Sequence, residues 1–331
     1  MSSKRIDVHA HFVPDFYRRA LVEAGRTKPD GMPGIPQWSE EDALRMMDKL
    51  QIQAAVLSVS SPGVHFHDDL AAKELARRLN EEGTRLRHAH PGRFGLFAVT
   101  PLPNVDLAIE EAVYAIEQLQ AEGVVVESNH DGLYQGDSKL DPFYAELNSR
   151  KAAMFIHPTS PSCQGCEALS LGYPRPMLEF MFETTRTVTN LILQGVTTRF
   201  PDIRIIIPHA GAALPVLASR VDGLTSFILG ASGKPVPQMK TEMRKLYYDM
   251  AGALLPELLE ALLRIADPEH LFYGSDWPFT PLPAVAGAAD SLDATPLLNG
   301  PLRAAVMTAN ALKLFGSLTG KDSESAVRSR R

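Results

Sequence analysis

Short apolar runs rich in Val, Ile, Leu and Phe recur along the chain, each long enough for a buried parallel strand and each closed by turn residues or a polar break. Eight such runs stand out: Arg5–His9 (RIDVH), Gln53–Val59 (QAAVLSV), Arg93–Val99 (RFGLFAV), Gly123–Glu127 (GVVVE), Ala152–His157 (AAMFIH), Ile203–His209 (IRIIIPH), Lys245–Met250 (KLYYDM) and Leu271–Asp276 (LFYGSD). Segments with helical spacing lie between them, as in DALRMMDKL, AAKELARRLNEEGTRL, VDLAIEEAVYAIEQLQ and LLPELLEALLRIA. Strand followed by helix, eight times over, predicts a closed α/β (β/α)8 TIM barrel, because parallel strands buried on both faces need an outer helix layer and closure removes sheet edges. A doubly wound open sheet is the alternative. Tyr173–Phe200 reads as an extended helical crossover, and the Gly- and Pro-rich stretch Arg18–Ser39 as a long loop after the first strand. No repeat or linker divides the chain, so one barrel over residues 1–318 with a flexible tail at 319–331 is expected.

Composition narrows the partners more than the chemistry. The 331 residues carry 33 basic and 39 acidic side chains, a formal charge of -6, which leaves no basic field for a nucleic-acid backbone. No apolar stretch approaches the ~20 residues of a membrane span, and the start MSSKRIDVHAHF lacks a signal-peptide pattern, so a cytoplasmic protein is expected. Cys163 and Cys166 are the only cysteines. They form Cys-X-X-Cys in SPSCQGC, without the helix N-terminus of a thioredoxin-like motif, and reduced thiols in a surface loop are expected.

The chemistry sits where the runs end. His9 and His11 form His-X-His, and strand alternation puts both side chains on one face, the interior in a barrel. His157 closes the fifth run in FIHP, His209 the sixth in IIPHAG, and Asp276 the eighth in YGSDWP. Four histidines and one aspartate thus converge on the C-terminal rim, where barrel enzymes keep their chemistry. Imidazoles with one carboxylate suit Zn2+ or Mn2+ in a catalytic site with an open position. The spacing alone is weak, since His65-Phe-His67 and His88-Ala-His90 repeat it; the first pair follows the second run on the active rim, where it can line a pocket although a surface loop is the favoured reading, and a solvated turn on the opposite rim is expected for the second.

The segments IDVHAHFVP, GLYQGDSKLDPFYAEL, MFIHPTSP, TTRTVTNLILQGVTTRFPDIRIIIPHAGAALP and HLFYGSDWPFT resemble the metal-dependent amidohydrolase superfamily, in the branch that contains aminocarboxymuconate-semialdehyde decarboxylase and the hydroxybenzoate decarboxylases. The combination looks most like 6-methylsalicylate decarboxylases. The resemblance implies His9, His11, His157 and Asp276 as ligands of one divalent ion, with His209 as the catalytic histidine beside it. It also implies non-oxidative decarboxylation of a hydroxylated aromatic acid, with Asp276 as the proton carrier. Two departures matter. The fourth run ends in VVVESNHDG without the lysine that bridges two metals in hydrolytic relatives, and HAGAALP lacks the glutamate that follows the sixth-run histidine in some resorcylate-type relatives. A metal-dependent hydrolase of a lactone, ester or amide is the alternative.

Substrate contacts are expected from four residues. Arg220, eleven residues beyond His209, matches an arginine that in the semialdehyde decarboxylases reaches a carboxylate in the neighbouring subunit's site, and a homodimer is expected with it. Trp38 in the first long loop can cover an aromatic ring. Asn129 and His130, just past the fourth run, can hydrogen-bond a ring substituent.

Overall fold

The structure is a computed structural model that describes residues 4–319 apart from 164, 166, 167, 169, 229–235, 253 and 254. In chain order its strands are β1 (Arg5–His11), β2 (Ile52–Ser58), β3 (Phe94–Val99), β4 (Gly123–Glu127), the two-residue hairpin strands β5 (Asn129–His130) and β6 (Leu133–Tyr134), then β7 (Ala153–His157), β8 (Arg204–Ile207), β9 (Tyr247–Asp249) and β10 (Leu271–Phe272). The sheet runs β1-β2-β3-β4-β7-β8-β9-β10, every pairing parallel. It closes through the bridges Asp7 to Tyr273 and Ala10 to Trp277, with the Val8 amide donating to the Tyr273 carbonyl at 3.0 Å. The expected (β/α)8 barrel is therefore the fold.

Local chemistry starts the helices that cover it. Ser39, Asp68 and Asn104 each sit one residue before a helix and accept a backbone N–H from its first turn, at the starts of helices Glu40–Lys49, Asp69–Ala89 and Val105–Glu117. Inside the barrel, all seven residues of β1 are buried. Phe155, two residues before His157 on β7, points the same way and meets the His9 ring edge-on at 4.9 Å and Phe97 at 5.5 Å, so an aromatic floor lies beneath the rim.

Several boundaries differ from the sequence expectation. β1 continues past His9 to His11, which brings both histidines onto one strand. β8 stops at Ile207 because Pro208 has no N–H for the ladder, and His209 begins a 3-10 turn, His209–Gly211. β10 stops at Phe272, and Asp276 lies on the loop beyond. Arg18–Ser39 is not wholly loop. Helix Asp15–Glu23 fills its start, burying Tyr17 and Leu21 one turn apart, and Pro29–Gly31 forms a 3-10 turn. Of the tail expected at 319–331, Thr319 ends a 3-10 turn that begins at Gly316, and the rest lies outside the described residues.

Candidate metal centre

Four side chains meet at the C-terminal rim. One ligand atom each from His9, His11, His157 and Asp276 lies within 4.8 Å of the others. His9 Nε2 and His11 Nε2 are 3.1 Å apart, and Asp276 Oδ1 stands 3.1 Å from the second and 3.4 Å from the first. Strand geometry produces the pair, because residues two apart on β1 share a face. β10 brings the carboxylate in from the other side of the seam, where the Asp276 amide donates to the His9 carbonyl at 2.7 Å. The crossing is tight. A Cβ on Gly274 would stand 2.9 Å from that of His9 and 3.2 Å from that of Asp249, closer than real side chains approach, so glycine is required there.

The outer nitrogens decide what the inner ones can do. His9 Nδ1 donates to Asp249 Oδ2 at 2.9 Å, His157 Nδ1 to the Pro158 carbonyl at 2.7 Å, and His11 Nδ1 faces Ser58, with Oγ at 2.9 Å and the carbonyl at 3.3 Å. With the proton on Nδ1, each ring turns a bare lone pair inward. Two imidazole nitrogens and a carboxylate oxygen at 3.1–3.4 Å need positive charge among them, either ring protons that hydrogen-bond to Asp276 or a cation in their place. That is the arrangement expected of metal-binding histidines fixed by outer acceptors. The donor set therefore fits a divalent ion.

The electrostatics agree. Burial pushes the His9 imidazole down, but Asp249 and Asp276 overcome it and raise His9 to about 10, so this point favours positive charge. Burial holds His11 below the ordinary range, with His9 adding to it and Asp276 opposing, and His157 lies well below it for the same first reason. Burial would raise Asp276, yet hydrogen bonds from His11 and His9 more than reverse that and hold its carboxyl well below the carboxylate range. Its second oxygen accepts from Thr280 Oγ1 at 2.8 Å.

His209 stands beside this cluster, its ring 5.1 Å from that of His9. Its amide donates to Asp249 Oδ1 at 3.1 Å, so a single carboxylate anchors both His9 and His209. Nδ1 of His209 is buried without a hydrogen-bond partner, and burial keeps the imidazole neutral by lowering its pKa. His209 and Asp276 both adopt positive φ, 54° and 59°, a conformation that costs a non-glycine residue about 1–3 kcal/mol and that collects at functional sites. A cavity of about 520 Å3 opens over the cluster. His157, His209, Asp276 and Thr280 lie at its base, and Met32, Met177, Phe180, Met181, Leu258 and Phe279 supply most of its apolar wall.

The five rim residues thus come together as the sequence suggested, whereas the substrate candidates do not join them. Trp38 does not line the cavity; it packs edge-on against Phe12 at 6.2 Å, half-buried beneath the first loop. Asn129 is committed to structure, with Nδ2 donating to the Ser160 carbonyl and Glu183, and Oδ1 accepting from Gly132. With His130 it lines a separate cavity over β4, because the β5–β6 hairpin turns both away from the cluster. Arg220 is exposed on helix Leu214–Ile228 and outside the cavity of its own chain. Cys163 is disulfide-bonded rather than a free thiol, since a residue count says nothing of local ring closure, and Cys166 lies outside the described residues. Of the two readings open for His65, the pocket holds and the favoured surface loop does not: it pairs with Asp69 at 2.9 Å and lines the separate cavity. Asp249, the residue sequence reasoning missed, ends β9 on the same rim, one residue before the end of the seventh run, and that position was its one visible signal.

A (β/α)8 barrel carrying His-X-His on its first strand and an aspartate after its last defines an amidohydrolase-type protein. The amidohydrolase family model matches residues 6–317, and the chain belongs to that family. The 6-methylsalicylic acid decarboxylase of Penicillium expansum is 33% identical over 320 residues, covering 96% of this chain and 97% of that protein. A crystal structure of an amidohydrolase II is 34% identical with a TM-score of 0.89, covering 95% of this chain and 100% of that one. The fold is also similar to that of 5-carboxyvanillate decarboxylase from Novosphingobium aromaticivorans with bound manganese and 3-methoxy-4-hydroxy-5-nitrobenzoic acid, at a TM-score of 0.86, 21% identity and coverage of 95% and 97%.

Proposed function

We propose that the protein is a metal-dependent, non-oxidative decarboxylase of a salicylate-type acid such as 6-methylsalicylate, releasing CO2 and a phenol. The observation that carries this reading is the His9, His11, His157 and Asp276 cluster beneath an apolar cavity, in a chain 33% identical to a 6-methylsalicylic acid decarboxylase. His9, His11, His157 and Asp276 would hold one divalent ion. When bound, the ion supplies Lewis-acid charge opposite the substrate's carboxylate and ortho hydroxyl. Manganese is the preferred ion, after the relative that binds it, with zinc equally compatible with the donors.

The chain's own groups do the rest. Asp276, ionised in the resting site, takes up one proton from solvent as the substrate binds and gives it to the ring carbon that bears the carboxylate. The bond to the carboxylate then breaks, its electron pair restores the aromatic ring, and CO2 departs, leaving Asp276 ionised again. His209, neutral and with a free Nδ1, orients the acid and stabilises charge as the ring loses aromaticity. Substrate selection follows from the cavity wall. Neither Lys nor Arg is among the described residues that line it, which offer no partner for a second carboxylate. Met32, Met177 and Met181 instead suit an apolar ring substituent such as a methyl group. The hydrolase alternative has no comparable support.

Residues 1–318 form the catalytic unit in this reading, and the working form is a homodimer. Val216, Leu224, Phe227 and Ile228 are exposed on the same helix as Arg220, an apolar face of the kind that copies of a chain bury together. Light scattering of the purified protein checks this.

The deciding experiment incubates protein loaded with Mn2+ or Zn2+ with 6-methylsalicylate, other hydroxybenzoates, and lactone or ester substrates. CO2 in the headspace from 6-methylsalicylate, abolished by chelation and restored by metal, is the expected result. Acid release from a lactone without CO2 from any acid overturns the proposal.

A further inference from the structure

His65-Phe66-His67 repeats the His-X-His spacing in the loop between β2 and helix Asp69–Ala89, and nothing in the proposed reaction uses it. No strand aligns these two rings. The backbone turns instead: His67 takes a left-handed φ of 68°, and Asp131, at the tip of the β5–β6 hairpin, takes one of 50° beside Gly132 at 85°. The Asn129 side chain fixes that tip by accepting the Gly132 N–H at 3.1 Å. As a result, Nδ1 of His65 and Nδ1 of His67 each stand 3.7 Å from one and the same oxygen, Asp131 Oδ2.

The outer side of His65 settles where its proton lies. Nε2 is 2.9 Å from Asp69 Oδ1, and Asn104 Nδ2 donates to the other oxygen of that carboxylate at 2.6 Å. Hydrogen bonds from Asn104 and His65 hold Asp69 below the ordinary carboxylate range, so it accepts and His65 carries its proton on Nε2. Nδ1 is then a bare lone pair, buried without a hydrogen-bond partner and facing a carboxylate oxygen. A second proton does not join the two, because 3.7 Å exceeds the reach of an N–H···O hydrogen bond. A metal ion does: bonds of about 2.1 Å at a tetrahedral angle set two ligand atoms about 3.4 Å apart.

An imidazole anchored by an outer carboxylate and turned toward an inner one is the pattern of a metal ligand. Arg26, Lys28 and Arg175 line the same cavity as His65 and Asp131, yet among the described residues neither Asp69 nor Asp131 forms an ion pair with a Lys or Arg. Both carboxylates keep their charge for a cation. The set is looser than the His9 cluster, with ring centroids 6.4 Å apart against 4.9 Å for His9 and His11. The His67 side chain is 71% exposed, so its ring closes that gap by rotating in solvent.

We propose that His65, His67 and Asp131 form a second metal site, for a zinc-type divalent ion with water in the fourth position, which clips the loop after β2 to the hairpin after β4. Two imidazoles and one carboxylate suit zinc, whereas calcium and magnesium select oxygen ligands. The site does not depend on which reaction the His9 cluster performs.

The test takes untagged full-length protein, strips it with a chelator, dialyses it against about 1 μM free Zn2+ and reads its metal content by elemental analysis. Two equivalents are expected, one at the His9 cluster and one at the clip. His67→Ala and Asp131→Asn should each lose one equivalent. Both side chains are more than half exposed, and unfolding curves of the stripped variants that match the unaltered protein show the fold to be intact. A zinc content that either variant leaves unchanged overturns the site. So does loss of the same equivalent in His88→Ala, an exposed histidine elsewhere, which marks the second ion as adventitious. A clip equivalent retained in protein that releases no CO2 from any acid would sink the decarboxylase reading and leave the clip standing.

Discussion

His9-Ala10-His11 and His88-Ala89-His90 are the same tripeptide with opposite fates. The first lies on a buried strand, where alternation turns both imidazoles to the barrel interior and outer acceptors fix each ring. The second ends helix Asp69–Ala89, where residues two apart point to different sides. His88 is exposed there, and His90 pairs with Glu40 at the helix boundary. A ligand motif is thus a property of the element that displays it and of the other strands that end nearby. Residue spelling contributes the atoms and nothing of their direction.

That contrast can be broken experimentally. Asp276→Asn should remove the metal and turnover together, a fall of roughly a thousandfold or more, read by metal analysis and CO2 release; full metal occupancy in this variant would detach the carboxylate from the cluster. His209→Ala should keep the metal while turnover falls about 10²- to 10⁴-fold, and normal turnover would remove its assigned role. Asp249→Asn sharpens the comparison, because it touches neither substrate nor metal. It should weaken metal affinity about 10- to 100-fold in a chelator competition, and an unchanged affinity would mean that the His9 ring is oriented by packing alone. At the small end, His88→Ala and His90→Ala should leave metal content and turnover unchanged and shift stability by no more than about 1 kcal/mol in denaturant unfolding.

Much of this was legible because barrel strands write their own rhythm. Eight buried runs predicted eight strands, and residues at the ends of four of them supplied the cluster and His209 beside it. What sequence could not convey was register. Pairing of β1 with β2 sets His11 opposite Ser58, and Asp249 reaches His9 across the barrel, contacts that depend on how strands slide past one another and leave no local pattern. The loops were harder still. Trp38, Asn129 and His130 follow the rim in sequence, yet Trp38 packs on Phe12 and the β5–β6 hairpin carries the other two to a separate cavity, and the residues lining the cavity over the cluster come instead from turns near Met32, Met177 and Phe279. Strand direction is an average over many side chains, whereas the aim of a loop residue hangs on one or two backbone angles.

The seam between β1 and β10 has a consequence for how the protein is made. His11 and Asp276 meet across 265 residues of chain, and the barrel closes only where those two strands touch. At about 5–20 residues per second, a ribosome needs roughly 13 to 53 seconds between the first residue and the second. Throughout that interval the nascent chain displays His9, His11 and, later, His157 without the carboxylate that completes their set. The four-residue cluster is therefore complete only once the chain has been translated past Asp276 and has closed upon itself.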